Sequence, residues 1–193
     1  MNFLAHMLCS HDTPASKLGN FIADFVKGDV AGRFPPEVVE GIMHHRRADW
    51  FTDSHEIFRA SRSLISTPRR RYAGVIIDVL YDHFLATDWE RYCSTGLDEF
   101  VGHVYENLGH YHLMGVPHPV PAVIEKMVGE DWLRSYRTVE GIERTFMRIS
   151  RRVRRDNTLG SAIEELDHNH DLLRDHFHSF FPQAIAQFRT KQT

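Results

Sequence analysis

Two carboxylates lie one helical turn apart in an apolar segment near the middle of the chain. Asp78 and Asp82 fall between Tyr72 and Trp89, and His83 follows directly. At about 100° per residue, apolar side chains cover nearly the whole circumference of this segment, which is typical of a buried helix. A buried carboxylate without a partner is costly, and two carboxylates this close also repel each other. The pattern therefore predicts a cation beside Asp78 and Asp82.

A second stripe of ionisable residues follows the segment that begins at Pro36. His45, Asp49 and Asp53 are spaced i, i+4 and i+8, so they share one helix face with apolar residues of the preceding turns. Imidazole and carboxylate groups are metal ligands and acid–base groups. We expect His45 to be a ligand, whereas Asp49 and Asp53 could instead orient a ligand or pair with Arg46.

Two further candidates lie near the start of the chain. His6 stands in an apolar segment, where a single histidine is more often a hydrogen-bonded core residue than a ligand. Asp24 lies at the flank of an apolar helix face, and helix geometry alone leaves its role open. Taken together, these Asp and His stripes on apolar faces favour one shared divalent cation. The excess of carboxylates favours Mn²⁺ or Mg²⁺, with Fe²⁺ or Zn²⁺ as alternatives.

The elements that must position these residues are helices. Apolar residues recur at helical spacing, and no stretch shows the sustained alternation of a strand. The chain of 193 residues suits one domain, residues 1–193, with an all-α helical bundle. Helices are predicted at 2–10, 16–27, 36–54, 71–92, 97–112, 119–129, 138–150 and 159–180, with a short one after Pro182.

Composition narrows the class of protein. The hydrophobic fraction of 42% and charged fraction of 25% are those of a globular protein rather than a disordered one. No apolar run reaches the length of a membrane helix and the first residues lack the features of a secretory signal, so we expect a cytoplasmic protein without a membrane partner. Cys9 and Cys93 are too few for a disulfide framework or a zinc site.

Arginines are bunched although the net charge is −3. Such bunching can steer an acidic partner, either a nucleic acid or an acidic protein. The alternative explanation is that these arginines lie on the solvent-exposed faces of helices and bind no partner. The clustered arginines that we predict to bind a partner are Arg69, Arg70, Arg71, Arg151, Arg152, Arg154 and Arg155.

Four segments of the sequence resemble segments of a known protein family. MNFLAH, LGNFIADFVKG, FPPEVVEGIMHHRRADWFTD and RRYAGVIIDVLYDHFLATDW resemble the acyl carrier protein phosphodiesterase family, and the resemblance continues to the FFPQAIAQF tail. It implies hydrolysis of the phosphodiester that joins 4′-phosphopantetheine to a serine of holo acyl carrier protein, with a divalent metal, commonly Mn²⁺. It also implies a distant relationship to HD-domain phosphohydrolases, hence an HD-domain-like bundle, and a protein substrate rather than nucleic acid.

The resemblance also assigns residues. Asp24 matches the ADF segment, His45 the HRR segment, and Asp49 and Asp53 the paired acids. The metal ligands expected on this basis are Asp24, His45, Asp78, Asp82 and His83. The residues expected to take part in catalysis are Asp24, His6, His45, Arg46, Asp82 and His83.

The expected mechanism uses a metal-activated water. Whichever of His6, His45 or His83 is not a ligand would act as general acid, and Arg46 would clamp the phosphate with its planar guanidinium. Two alternatives stay open from the sequence. One is an HD-type nucleotide phosphohydrolase with a base-sized pocket. The other is a non-catalytic module that binds an acidic protein and carries a structural metal.

Overall fold

The structure is a computed structural model that describes residues 1–113 and 115–189, and helices form its core. The all-α prediction is confirmed, since no strand occurs in the described ranges. Within these ranges ten α-helices follow one another: α1 Phe3–Cys9, α2 Pro14–Ile22, α3 Pro36–Ser54, α4 Glu56–Leu64, α5 Ala73–Thr87, α6 Leu97–Gly109, α7 Val120–Gly129, α8 Trp132–Ser135, α9 Val139–Arg152 and α10 Glu164–Phe188. None of these described helices has the length and apolarity needed to cross a membrane.

The helix bounds agree best where local signals are strong. α3 spans Pro36–Ser54 as predicted, with Pro36 in its first turn, where a missing N–H costs nothing. α4 has no counterpart among the predicted helices. It is separated from α3 by His55 alone, whose backbone is extended (ψ 133°). The ring of His55 then caps the new helix by accepting a hydrogen bond from the Ile57 N–H at 3.3 Å.

Two other predicted helices differ in length from those observed. The predicted helix 71–92 is shorter, because Asp88 leaves helical geometry (φ −107°, ψ 24°) and pairs instead with Arg174. Short 3₁₀ turns, Thr67–Tyr72 and Trp89–Arg91, flank α5 on either side. Near the C-terminus, the predicted break at Pro182 is wrong: α10 runs through Pro182, and its irregular residue is Asn169 (φ −131°).

α2 and α3 pack in close contact through two glycines. A Cβ atom added at Gly19 would lie 2.3 Å from the Val38 carbonyl oxygen, and one added at Gly41 would lie 2.7 Å from that of Ser16. Distances this short are not compatible with side chains on either residue. The two glycines thereby fix the spacing between α3, which carries His45 and Asp49, and the segment that leads from α2 to Asp24.

α5 is the most buried of the long helices. Its apolar residues lie in the core on nearly every side, as the sequence predicted. It reaches the surface mainly at its two ends, where Val75 and Thr87 are exposed. Because α5 packs against both α1 and α9, the carboxylates on its surface are carried to the junction of several helices.

Candidate active site

An acidic cleft opens where α1, α3, α5 and α9 meet. Its volume is about 250 Å³. Carboxylates from three segments and apolar side chains from two helices line it: Asp24, Asp49, Asp53, Asp78, Val75, Val79 and Ile149. Asp24 reaches the cleft from a 3₁₀ turn, Ala23–Phe25, that extends α2. The cleft is large enough for a phosphodiester group but not for a folded protein.

Asp49 joins the two histidines of the site. Its Oδ1 accepts a hydrogen bond from His6 Nε2 at 2.9 Å, and its Oδ2 forms an ion pair with His45 Nε2 at 3.0 Å. His45 and Asp49 belong to α3 with the i, i+4 spacing seen in the sequence, whereas His6 comes from α1. The two imidazole rings are stacked face to face beneath the cleft.

The two histidines have opposite protonation. Burial and the neighbouring charge of His45 lower the pKa of His6 to about 4, so His6 is neutral at neutral pH. Burial also disfavours the charged form of His45, yet Asp24 and Asp49 outweigh it and raise the pKa of His45 to about 9. Asp24 lies 3.4 Å from His45 Nε2. Although burial opposes ionisation of Asp24 and Asp49, their partners hold both carboxyl pKa values below the usual range.

Asp78 faces the same cleft from α5. Its Oδ1 lies 3.1 Å from the amino group of Met1, which is also 3.2 Å from Asp49 Oδ1. Burial disfavours the charged amino group, but Asp78 and Asp49 raise its pKa to about 11. The pKa of Asp78 itself is raised, because its burial outweighs this ion pair. Asp78 Oδ1 forms no hydrogen bond beyond the ion pair within the described ranges.

The donor set fits a divalent cation. Ligand atoms of His6, His45 and Asp49 all lie within 4.8 Å of one another, and no other such group of three occurs within residues 1–113 and 115–189. Nδ1 of His6 and Nδ1 of His45 are buried and have no hydrogen-bond partner among the described residues. Two imidazoles with carboxylates are ligands that Mn²⁺, Fe²⁺ and Zn²⁺ accept. The site is thus compatible with a divalent metal.

Asp82 makes contacts of a different kind. It is fully buried, and its two oxygens accept hydrogen bonds from the backbone N–H groups of Leu4 at 2.8 Å and Ala5 at 3.0 Å. These N–H groups belong to the first turn of α1, which Asn2 does not cap with its side chain. Burial outweighs these hydrogen bonds and raises the pKa of Asp82 to about 7. Asp82 therefore anchors the helix that carries His6 and does not line the cleft.

His83 and Arg46 also lie apart from the cleft lining. His83 Nδ1 donates to the Tyr136 carbonyl oxygen at 2.8 Å, and burial lowers its pKa. Arg46 donates to the carbonyl oxygens of Val26 at 2.8 Å and Gly28 at 2.9 Å. Through these two bonds, Arg46 ties the segment after Asp24 to α3.

The arginine clusters differ in their availability. Arg69 is paired with Glu165 and Glu164, and Arg70 donates to the Ile65 carbonyl oxygen. Arg71 is exposed and lies one turn before Val75 of the cleft. Arg151, Arg152, Arg154 and Arg155 are all exposed at the end of α9. One turn separates Arg152 from Ile149, which lines the cleft.

The structure brings together most of the residues predicted from the sequence, and it places Asp49 between the two histidines. Asp24, His6, His45 and Asp78 were all named, whereas Asp49 was left out of the expected ligands although it bridges both histidines. Its spacing of four residues from His45 was the signal. The contact between the Met1 amino group and the acids gave no sequence signal, because it joins residues 48 positions apart or more.

Comparisons with known proteins match nearly the full length of the chain to one protein family. The family model described as acyl carrier protein phosphodiesterase matches residues 1–184. Proteins named acyl carrier protein phosphodiesterase from Salmonella agona (strain SL483) and Salmonella newport (strain SL254) are each 34% identical to this chain, with 99% of both chains covered. No solved structure matches the chain.

Proposed function

The chain belongs to the acyl carrier protein phosphodiesterase family, and from this premise we propose that it hydrolyses the phosphodiester between 4′-phosphopantetheine and the serine of holo acyl carrier protein. The products are apo acyl carrier protein and 4′-phosphopantetheine. The reaction consumes one water, whose oxygen becomes bonded to phosphorus as the serine oxygen leaves and takes up a proton. We place this reaction in the cytoplasm, where the carrier protein would be met in solution.

One observation carries the proposal. His6, His45 and Asp49, from two helices, converge within 4.8 Å beside a cleft of about 250 Å³. This cleft accepts a phosphodiester but excludes the folded body of the substrate protein. Its aspartates would repel a bare phosphate, so a cation is needed between them and the substrate. The family, the cluster and the size of the cleft all support the same chemistry.

We propose that His6, His45 and Asp49 hold the cation, with Asp24 and Asp78 as neighbouring acids. Asp82 and His83, which the sequence favoured as ligands, have partners elsewhere. Mn²⁺ is the favoured ion, with Mg²⁺ or Fe²⁺ as alternatives, because the acids outnumber the imidazoles. Such a cation supplies acidity for a water molecule and positive charge beside phosphate oxygens.

The side chains around the cluster set its geometry. Asp24 and Asp49 both contact His45 Nε2, so they fix the orientation of that imidazole. Arg46 holds the backbone at Val26 and Gly28, and we assign it a positioning role for Asp24 in place of a phosphate clamp. Of the three histidines considered as general acid, only His6 and His45 contact acids of the cleft.

Residues outside the cleft would bind the body of the substrate protein. The carrier protein is acidic, so exposed arginines near the rim would favour association. Arg71 and Arg152 lie one turn from the cleft residues Val75 and Ile149. Arg151, Arg154 and Arg155 extend the same basic surface. Arg69 and Arg70, which have partners of their own, contribute to the fold more than to docking.

Mass spectrometry of the carrier protein tests the proposal. Purified protein is incubated with holo acyl carrier protein and Mn²⁺, and the mass of the carrier protein is followed over time. We expect conversion to the apo form by the wild type and a loss of at least about 100-fold in rate for Asp49→Asn, in which the shared acid of the two histidines loses its charge. Unchanged carrier protein under all metal conditions would contradict the proposal.

A further inference from the structure

One face of α3 carries large side chains that the described part of the chain leaves exposed. Trp50 is 74% exposed and Met43 is 39% exposed, with Arg47 exposed between them. Their spacing of i, i+4 and i+7 places all three on one helix face, here called the outer face of α3. Among the described residues, no ring contact of Trp50 and no ion pair of Arg47 occurs. Aromatic residues, Met and Arg are the residue types enriched in protein interfaces.

The outer face adjoins the acidic cleft. Trp50 stands three residues before Asp53, and residues three apart are neighbours on a helix surface. A partner that covers Trp50 therefore also reaches the rim of the cleft at Asp53. On its other side, the outer face meets a depression of about 520 Å³ that Phe51 and Phe188 help to line.

The charges favour an acidic occupant. Four aspartates line the cleft, so an acidic protein that approaches it is repelled unless cations stand nearby. Arg47 forms no ion pair with an acidic side chain among the described residues, so its charge is available to an acidic partner. Tryptophan and arginine are the residues most often found at the centre of binding surfaces. The outer face thus combines an aromatic anchor with unpaired positive charge.

We infer that the outer face of α3 forms part of the docking surface for the acidic carrier protein, together with the arginines near the rim of the cleft, an inference that rests on the proposed function. An acidic helix of the carrier protein lies along Met43, Arg47 and Trp50, and an apolar side chain of that helix enters the depression at Phe51 and Phe188. The two turns between Met43 and Trp50 span about 10 Å, enough to contact one such helix. The phosphodiester then extends over Asp53 into the cleft.

Tryptophan fluorescence tests this inference directly. The chain has three tryptophans, and Trp89 and Trp132 are only 3% and 1% exposed, so acrylamide quenches Trp50 selectively. Titration with apo acyl carrier protein, the product, avoids turnover during the measurement. We expect at least a twofold fall in the quenching constant of the wild type. Quenching that apo carrier protein leaves unchanged would overturn the inference.

Steady-state kinetics supply a second readout. Trp50→Ala and Arg47→Glu should each raise KM for holo acyl carrier protein at least tenfold, with kcat within about twofold, and Trp50→Phe should restore part of the affinity. Leu172→Ala and Arg91→Glu are controls, since both residues are exposed and lie on other elements than α3. We expect wild-type KM from both. A fall in kcat at unchanged KM in Trp50→Ala would also overturn the inference.

The remaining outcomes separate this inference from the proposed function. If the wild type does not cleave holo acyl carrier protein, the proposed function fails, and the inference fails with it. If the wild type cleaves the substrate but the outer-face variants behave like the controls, the inference alone is overturned. Protection of Trp50 that grows with enzyme concentration in the absence of carrier protein would assign the face to a second copy of the chain, which also overturns it.

Discussion

The imidazole rings of His6 and His45 are stacked, with their centroids 3.8 Å apart and their planes 10° from parallel. Two rings this close cannot both be positively charged without strong repulsion. The carboxylates of Asp24 and Asp49 stabilise the positively charged form of His45, whereas His6 stays neutral. Because metal ligands must be deprotonated, binding of a cation at both rings would release the proton of His45.

Manganese affinity should depend on His45 and not on the histidine beside it. His45→Gln removes a ligand at the centre of the cluster, and we expect the affinity for Mn²⁺, measured by isothermal titration calorimetry, to fall by about 100-fold or more. His44→Gln is the matched control, because His44 is also buried on α3 but donates to the Phe188 carbonyl oxygen. Equal losses in both variants would place the metal elsewhere.

Asp82 should matter for stability more than for metal binding. Asp82→Asn removes one acceptor and puts an amide N–H against the first turn of α1, which leaves the N–H of Leu4 or Ala5 unpaired. We expect the free energy of unfolding, from urea titrations, to fall by about 2–3 kcal/mol. Asp53→Asn, an exposed control, should change it by less than about 0.5 kcal/mol. Normal stability combined with loss of Mn²⁺ in Asp82→Asn would instead identify Asp82 as a ligand.

Glu165 should stabilise the fold at neutral pH and lose this effect in acid. Burial opposes its ionisation, but hydrogen bonds from Ser66 and Arg69 outweigh burial and lower the pKa of Glu165 from its usual 4.5. A carboxyl whose folded pKa lies below its unfolded pKa contributes stability that is fully present above 4.5 and disappears as pH falls through the folded pKa.

We therefore expect Glu165→Gln to reduce the free energy of unfolding by about 2 kcal/mol at pH 7, because Arg69 loses one of its two acidic partners and the Ser66 hydrogen bonds lose a charged acceptor. The difference from the wild type should shrink as the pH is lowered below 4.5. Glu164→Gln is the control, since Glu164 contacts the same arginine from an exposed position and such pairs contribute about 1 kcal/mol at most. A deficit that grows in acid would contradict this sign.

The contact between α2 and α3 should tolerate no added methyl group. Gly41→Ala places a Cβ atom 2.7 Å from a backbone oxygen of α2, and we expect a loss of about 2 kcal/mol in stability together with weaker Mn²⁺ binding. Gly74→Ala has open space around it and should raise stability by up to about 1 kcal/mol through helix propensity. Thermal denaturation of the two variants with and without Mn²⁺ separates these effects.

Local spacing made part of the site predictable. The i, i+4 relation of His45 and Asp49 and the apolar surroundings of Asp78 are properties of single helices, so periodicity identified them. The same argument placed Asp82 next to a cation, because a buried carboxylate needs a counterpart. Periodicity could not show that this counterpart is a helix terminus at Leu4 and Ala5 rather than a metal.

Irregular backbone and pairing between distant residues account for the features that the sequence did not predict. α4 escaped prediction because the break at His55 is a change of a single ψ angle followed by a side-chain cap. The arginines at 69–71 read as a free basic cluster, yet Arg69 finds Glu165 across 96 positions of the chain. A sequence reports the charge of such residues but not which of them has already been neutralised by the fold.

The capping of α1 by Asp82 also sets an order of events during synthesis. The acceptor for the N–H groups of Leu4 and Ala5 is made 78 and 77 residues after them. At translation speeds of about 5–20 residues per second, roughly 4–15 s pass before the ribosome adds Asp82. Throughout that interval the N–H groups of Leu4 and Ala5 lack this acceptor, so the first turn of α1 is left without its side-chain cap until α5 has been made.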